Sequence, residues 1–230
     1  MRLRVVVYNV RGFRDGLEHV AAVVNRAGPD LLLLQESGSR RSLRRFAKAT
    51  GMRAAGDPWS PMRRRVKNAV LVRPPWRIVS KRLHRFERSA RFYPRGALIA
   101  QVGRAGRRVW AISIHLGLSP GERHRHAREL TDMVASLGGP LVLGGDLNDL
   151  PDGKAATWIA ERYWDAWDKA GDGEGLTFPA GEPTARIDYV FVSQELRVAG
   201  VAVPQDADAR RASDHRAVVA DLELEEAPGA

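Results

Sequence analysis

The sequence of 230 residues contains no cysteine, which excludes disulfide bonds and a thiolate zinc site. It also lacks any apolar run close to the ~20 residues that a membrane-spanning helix needs. The apolar stretch that follows Met1 is too short for a secretory signal and has no small-residue cleavage site. We therefore expect a cytoplasmic protein without a membrane span.

Acidic residues are scarce in one part of the chain. Residues 37–121 carry 21 Lys and Arg residues but only two acids, Asp57 and Glu87, whereas the remainder has 16 basic and 25 acidic residues. A basic part joined to an acidic part indicates a polyanionic partner, such as nucleic acid, held beside a metal-binding centre. Lysine is scarce too, with five Lys against 32 Arg, so GC-rich codon usage is an alternative explanation.

The hydrophobic pattern is that of one α/β domain over residues 1–225, with a flexible tail at 226–230. Short apolar runs predict strands at 3–9, 30–35 and 141–143, among others, and a hairpin turns at 103–106. Residues 17–27, 41–50 and 120–137 have helical spacing. Gly144 and Gly145 are expected to form a tight turn after their strand. We expect a monomer.

Polar residues recur at the ends of six apolar strands. They are Asn9, Glu36, His115, the pair Asp146 and Asn148, Asp188, and the run Ser213-Asp214-His215. One such residue would be unremarkable, since an Asp or Asn after a strand is often only a turn. Six strand ends with two Asn, one Glu, three Asp and two His indicate a common rim at one edge of the sheets.

This set of side chains suits metal-assisted hydrolysis of a phosphoester. Carboxylate and amide oxygens are ligands for Mg²⁺ or Mn²⁺, although two histidines leave a zinc or iron site as an alternative. A carboxylate such as Asp146 can orient and deprotonate an attacking water. A histidine can donate to the anionic transition state, and a second carboxylate such as Asp188 can fix its tautomer.

Six short motifs, in order, resemble those of the endonuclease/exonuclease/phosphatase superfamily, which has the DNase I-like fold. The motifs are Tyr8-Asn9-Val10, Leu34-Gln35-Glu36, Ile114-His115-Leu116, Gly145-Asp146-Leu147-Asn148, Arg186-Ile187-Asp188-Tyr189 and Ser213-Asp214-His215. The resemblance covers residues 3–222. It implies a four-layer α/β/β/α sandwich, in which two packed mixed sheets have helices outside.

The resemblance also implies a role for each residue of the rim. Glu36 would be the main Mg²⁺ ligand, with Asn9 and Asp214, and Mn²⁺ could replace Mg²⁺. Asp146 would position or deprotonate the nucleophilic water. Asn148 and His115 would contact the scissile phosphate, and His215, oriented by Asp188 or Asp214, would stabilise the transition state. We also predict that the intervening segments bind substrate through Asn68, Arg95 and Thr177.

The resemblance leaves the substrate open. His115-Leu116 is more similar to the DNase I, sphingomyelinase, deadenylase and tyrosyl-DNA phosphodiesterase branches than to the abasic-site endonucleases. With the basic segment, it favours a Mg²⁺-dependent nuclease or a DNA- or RNA-end-processing phosphodiesterase. A small phosphoester or phospholipid headgroup is the alternative, and a non-catalytic binding module is disfavoured because every motif side chain is present. The loop with Trp59 and Arg63-Arg64-Arg65 could grip single-stranded nucleic acid.

Overall fold

Twelve strands and six α-helices form the part of the chain that the computed structural model describes, residues 1–57, 65–87 and 94–224. The strands are β1 (Arg2–Asn9), β2 (Leu31–Gln35), β3 (Arg53–Gly56), β4 (Ala69–Val72), β5 (Arg77–Arg85), β6 (Gly96–Arg104), β7 (Arg107–His115), β8 (Leu141–Asp146), β9 (Trp164–Asp165), β10 (Asp188–Val192), β11 (Leu196–Ala202) and β12 (Val218–Leu224). The helices are α1 (Leu17–Ala27), α2 (Arg40–Thr50), α3 (Pro120–Val134), α4 (Lys154–Ala160), α5 (Ala166–Ala170) and α6 (Ala207–Arg211).

The strands form two six-stranded sheets, ordered β11-β12-β1-β2-β4-β3 and β5-β6-β7-β8-β10-β9. Each sheet contains one parallel pair, β1–β2 or β7–β8, whose two strands are connected through one long helix, α1 or α3. Within the parallel pairs, Asn9 lies opposite Gln35, and His115 lies opposite Asp146. The carboxyl ends of both parallel pairs therefore carry polar side chains, and this arrangement positions the candidate site.

Three apolar layers hold the sandwich together. The largest lies between the two sheets and includes Val5, Leu33, Val142 and Val190. A second packs α1 and α2 against the first sheet, and a third packs α3 and α4 against the second sheet. Strand β2 is buried along its whole length, because the leucines of one face meet the other sheet and those of the opposite face meet the helices. The predicted four-layer α/β/β/α fold is confirmed.

The prediction for Gly144 and Gly145 was wrong. Both lie inside β8, which continues to Asp146. A Cβ on Gly145 would lie 1.9 Å from the carbonyl oxygen of Ile114 on β7, and one on Gly144 would lie 2.4 Å from Cγ2 of Val7 in the facing sheet. These glycines are therefore required by the close approach of neighbouring backbone and side chains rather than by a turn.

Several short elements were absent from the prediction. The two-residue strand β9 and the five-residue helices α5 and α6 are too short to show a period. The predicted helix at 120–137 ends earlier, at Val134. The loop with Trp59, Arg63 and Arg64 and the predicted tail at 226–230 lie outside the described residues. Within that part of the chain, every helix is too short or too polar to cross a membrane.

Arg186, the first residue of the Arg-Ile-Asp motif, forms a buried ion pair. Its Nη1 lies 2.7 Å from Oδ2 of Asp165, and both side chains are less than one tenth exposed. We expect Arg186→Met to lower the free energy of unfolding by about 3–5 kcal/mol, because it leaves the Asp165 carboxylate buried without its partner. Urea unfolding measures this loss.

The matched control is Arg197→Met, which removes an exposed ion pair with Glu223. Exposed pairs of this kind contribute less than about 1 kcal/mol. Equal losses in the two variants would contradict a structural role for the Arg186 pair.

Candidate active site

Asp146, at the end of β8, is the centre of a buried polar network. Its Oδ2 accepts a hydrogen bond from Nδ2 of Asn9 at 2.9 Å and lies 3.2 Å from Nε2 of His115. Its Oδ1 accepts from the backbone N–H of Asn148 at 2.9 Å. Burial alone would raise the pKa of Asp146, but hydrogen bonds from His115 and from the N–H of Asn148, together with the charge of His215, outweigh it and hold the pKa well below its ordinary value. Asp146 is therefore ionised at neutral pH.

His115, at the end of β7, lies between Asp146 and Arg95. Nη1 of Arg95 is 2.7 Å from Nδ1 of His115, where the guanidinium donates to the ring nitrogen. Burial, followed by the positive charge of Arg95, lowers the pKa of His115. The imidazole is thus neutral at pH 7. Nη1 of Arg95 also lies 2.6 Å from Nε2 of His115, the ring nitrogen that faces Asp146, so Arg95 contacts both ring nitrogens.

His215 lies in a second arm of the same network. Its Nδ1 is 2.8 Å from Oδ2 of Asp188, and its Nε2 is 3.7 Å from Oδ2 of Asp146. Burial opposes the charge of His215, but the carboxylates of Asp188 and Asp146 dominate and raise its pKa to about 10. Thr177 donates from Oγ1 to Oδ2 of Asp188 at 2.7 Å and holds that carboxylate in place. His215 is therefore a buried cation between two carboxylates.

The loop that follows β1 contacts Asn9, Glu36 and Asp214. The backbone N–H of Arg11 donates to Oδ1 of Asn9 at 3.1 Å, and Nε of Arg11 lies 3.2 Å from Oδ2 of Asp214. The backbone N–H of Gly12 donates to the carbonyl of Glu36 at 2.8 Å. One loop thus connects the three predicted metal ligands.

The backbone of this edge is strained. Among the described residues, five that are not glycine have a positive φ, and four of them lie here: Arg11, Phe13, Glu36 and Asn148, with φ between 44° and 62°. A residue with a Cβ pays about 1–2 kcal/mol to adopt this left-handed conformation. Such strain persists only where surrounding contacts impose it, and it concentrates at functional sites.

Lys67 and Arg95 lie close enough to Glu36 to interact with its charge. Lys67 experiences the charges of Glu36, Arg14, Arg65 and Arg95, and its burial is the main cause of a lowered pKa. Arg65 is 2 % exposed, and its Nη1 donates to the carbonyl of Gly38 at 3.1 Å. The Glu36 side of the edge is therefore positively charged and suits an anion.

The predicted residues take two kinds of position. Asn9, His115, Asp146, Asp188 and His215 contact one another in the network, and Asn148 contacts it through its backbone N–H. Thr177 joins the network by donating to Asp188, whereas the side chains of Asn148 and Asn68 donate to backbone carbonyls of the neighbouring strands and loops.

Asn68 is buried, and its Nδ2 donates to the carbonyls of Gly96 and Ser113, at 3.0 and 2.8 Å. Nδ2 of Asn148 donates to the carbonyl of Leu116 at 3.2 Å. Both N–H groups of the Asn68 amide are thus engaged with backbone, whereas Asn148 uses one of its two N–H groups in this way. Whether these two side chains bind substrate stays a prediction.

Two further contributors, Ser213 and Gln35, appear in the sequence motifs but were given no role of their own. Ser213 donates from Oγ to the carbonyl of Asn9 at 2.7 Å and connects the segment before β12 to β1. Gln35 donates from Nε2 to Oγ of Ser113 at 3.1 Å, a buried polar contact between the two sheets beneath the site. A polar residue inside an apolar strand, such as Ser113, was the available signal.

The donor set fits a divalent cation. Asp146 and Asp188 offer carboxylate oxygens that lie within 4.8 Å of each other and of a ring nitrogen of His215, which as an imidazolium has no lone pair for a metal. Oδ1 of Asp188 is buried and has no hydrogen-bond partner. The carboxylates of Glu36 and Asp214 and the oxygen of Asn9 add hard donors at the same edge.

The sequence profile of the Endonuclease/Exonuclease/phosphatase family matches residues 6–215. No curated protein matches the sequence. An endonuclease/exonuclease/phosphatase of Bacteroides vulgatus has a similar structure, with a TM-score of 0.85 and 19% identity over 98% of this chain and 100% of that one.

Two further structures show the same fold. A mannosyl-6-phosphatase of Bacteroides thetaiotaomicron has a TM-score of 0.81 at 20% identity, and D. rerio TDP2 complexed with a single-strand DNA product has a TM-score of 0.80 at 18% identity. Each comparison covers 96% of this chain and 99% of the other. Because the profile spans most of the sequence and the fold agrees, this chain belongs to the endonuclease/exonuclease/phosphatase family, whose members hydrolyse phosphoester bonds.

Proposed function

We propose that the protein is a Mg²⁺-dependent phosphodiesterase that cleaves nucleic acid, either as a nuclease or as an enzyme that processes DNA or RNA ends. The observation that carries this proposal is the position of the network. A buried carboxylate, Asp146, contacts one neutral histidine and lies near one cationic histidine, at an edge that also presents Glu36 and several cations.

Glu36 and Asp214, with the amide oxygen of Asn9, would hold the magnesium ion. Mg²⁺ prefers hard oxygen ligands and usually takes only one or two carboxylates from the protein. Mn²⁺ binds the same kind of ligands. When bound, the ion would polarise a phosphoryl oxygen and offset the negative charge that develops there.

Asp146 orients the attacking water. Its lowered pKa makes it a weak base, so its contribution is to accept a hydrogen bond and fix the direction of attack. Asn9 and the N–H of Asn148 hold the carboxylate, which leaves the water as the mobile partner. His115 and Arg95 lie beside it, where their N–H groups can donate to the scissile phosphate.

His215 stabilises the transition state. Its imidazolium, oriented by Asp188, can donate from Nε2 to a phosphoryl oxygen as that oxygen gains charge. Asp188 and Thr177 are positioning residues, because they act through the orientation and charge of His215.

The charge around the site supports a polyanionic substrate. Lys67, Arg65 and Arg95 face the Glu36 side, and Arg14 adds a further cation. The block of residues 37–121 supplies these groups, apart from Arg14, and has only two acids. A nucleic acid brings phosphates on both sides of the scissile bond, so it can use the cations that a small phosphoester cannot reach.

We expect the purified protein to cleave single-stranded DNA, plasmid DNA or RNA with Mg²⁺ and to lose this activity in EDTA. A panel of these polymers, a 5′-tyrosyl-DNA oligonucleotide and small phosphomonoesters and phosphodiesters, each with and without Mg²⁺, measures it. Binding of the polymers should weaken steeply with salt.

Metal-dependent hydrolysis of the small phosphoesters alone, insensitive to salt, would overturn the nucleic-acid proposal in favour of a small phosphoester or lipid headgroup. Absence of any hydrolysis across the panel would contradict the catalytic assignment itself.

A further inference from the structure

The outer face of α2 carries a row of exposed cations. Arg41, Arg44, Arg45 and Lys48 are exposed, and none of them forms an ion pair within the part of the chain that the structure describes. The opposite face of the helix is buried through Leu43 and Phe46. The helix contains no acid in its sequence.

Several arginines in the acid-rich part of the chain do form ion pairs. Arg4 lies 2.7 Å from Asp221, Arg26 lies within 2.8 Å of both Asp206 and Asp208, and Arg186 lies 2.7 Å from Asp165. Arg41, Arg44, Arg45 and Lys48 therefore differ from those arginines, because none of the four has a carboxylate partner among the described residues.

This arrangement disfavours the helix in the free protein. Arg41 and Arg45, like Arg44 and Lys48, are four residues apart, a spacing at which like charges repel. Arg41 also lies in the first turn, where the helix dipole disfavours a cation. A polyanion on this face would remove both penalties.

The helix begins beside the candidate active site and runs away from it. Ser39, three residues after Glu36, caps the helix by accepting from the N–H of Ser42. At the other end, Arg73 donates to the carbonyls of Thr50 and Pro29, which places the end of α2 next to the start of β2. The row of cations thus extends along the outside of the sandwich, from the edge with Glu36 toward the opposite edge, where β2 begins.

We propose that the exposed face of α2 binds the backbone phosphates of the nucleic-acid substrate where the strand leaves the active site. The proposal rests on the nucleic-acid activity proposed above. Cations four residues apart on a helix are separated by about 6 Å along its axis, so the row from Arg41 to Lys48 spans about 10 Å. That length accommodates two or three phosphates of a flexible single strand.

An anionic membrane is the less suitable partner for this face. Helices that dock on membranes present large apolar side chains beside their cations. On α2, Leu43 and Phe46 pack into the core, and none of the exposed large apolar side chains of the described residues belongs to this helix.

The test compares two triple variants that remove the same charge. Arg41→Gln, Arg44→Gln and Arg45→Gln neutralise the α2 face and keep good helix formers there. Arg197→Gln, Arg210→Gln and Arg211→Gln neutralise exposed arginines near the end of the chain. Asp146→Asn is added to all proteins, including the reference, to prevent cleavage. Circular dichroism and thermal unfolding verify that each variant is folded.

Binding of a fluorescein-labelled single-stranded 20-mer is then measured by anisotropy between 50 and 300 mM KCl. We expect the α2 triple variant to bind at least about tenfold more weakly at 100 mM salt, and the slope of log K against log salt to fall by about 2, since each phosphate contact contributes about 0.7. We expect the control triple variant to keep the slope of the reference protein.

Equal weakening by both variants would overturn the proposal, because it would show an effect of net charge alone. Loss of binding to phosphatidylserine vesicles by the α2 variant, with unchanged DNA binding, would overturn it in favour of a membrane surface. These binding results are independent of hydrolysis. If the α2 variant binds single-stranded DNA more weakly but the protein cleaves no nucleic acid, the proposed binding surface on α2 would be supported. Only the proposed nuclease activity would then be contradicted.

Discussion

Asp146→Asn is expected to lower kcat by about 10³- to 10⁴-fold, the range for loss of a group that acts on the reacting atoms. The substitution preserves the shape of the side chain but removes the negative charge that Asn9, His115 and His215 face. A chromogenic phosphodiester, assayed with Mg²⁺ at saturating concentration, measures the loss. Far-UV circular dichroism and cooperative unfolding should be retained.

Asp149→Asn is the matched control. Asp149 is a buried carboxylate three residues further along the same loop, where it accepts from the N–H groups of Ala155 and Ala156 and lies 3.0 Å from Nε of Arg123. Its replacement should cost about 1–2 kcal/mol of stability through the helix cap and leave kcat unchanged. A kcat for Asp146→Asn within tenfold of the wild-type value would refute the role of Asp146.

Gly145→Ala is expected to prevent stable folding, with a loss above about 4 kcal/mol. The new Cβ would lie 1.9 Å from the carbonyl oxygen and 2.8 Å from the carbonyl carbon of Ile114, both in the backbone of the paired strand. Because that backbone is fixed by the parallel register with β8, it cannot move without breaking the sheet beside Asp146. Urea unfolding of the variant, or its failure to express as folded protein, measures the effect.

Gly138→Ala provides the comparison, since a Cβ at Gly138 meets nothing within 4 Å. It should change the free energy of unfolding by less than about 0.5 kcal/mol. A Gly145→Ala protein as stable as Gly138→Ala would show that the two parallel strands are less closely packed than described above.

The sequence predicted the class of fold and the edge of the sheets at which the buried polar network lies. Apolar runs ending in Asn9, Glu36, His115 and Asp146 were visible as strands with polar ends, and parallel strands bring such ends together. The resemblance to a known family supplied the order of layers.

Partners within the site could not be predicted in the same way. The contact of Arg95 with His115 joins the ends of the neighbouring strands β6 and β7, where Gly96 lies opposite His115, but the contact of Asn9 with Asp146 depends on how the two sheets meet face to face. Long-range contacts of this kind leave no period in the sequence. Gly144 and Gly145 could not be assigned for a similar reason. From the sequence alone, a glycine required by close packing against a neighbouring strand cannot be distinguished from a glycine in a turn.

The position of β1 between β12 and β2 has a consequence for synthesis on the ribosome. Strand β1 and Asn9 are made first, yet the neighbouring strand β12 and His215 follow about two hundred residues later. At about 5–20 residues per second, this delay is about 10–40 s. During that interval a nascent chain has one open edge on β1 and lacks His215, so the buried polar network around Asp146 stays incomplete until the first sheet closes.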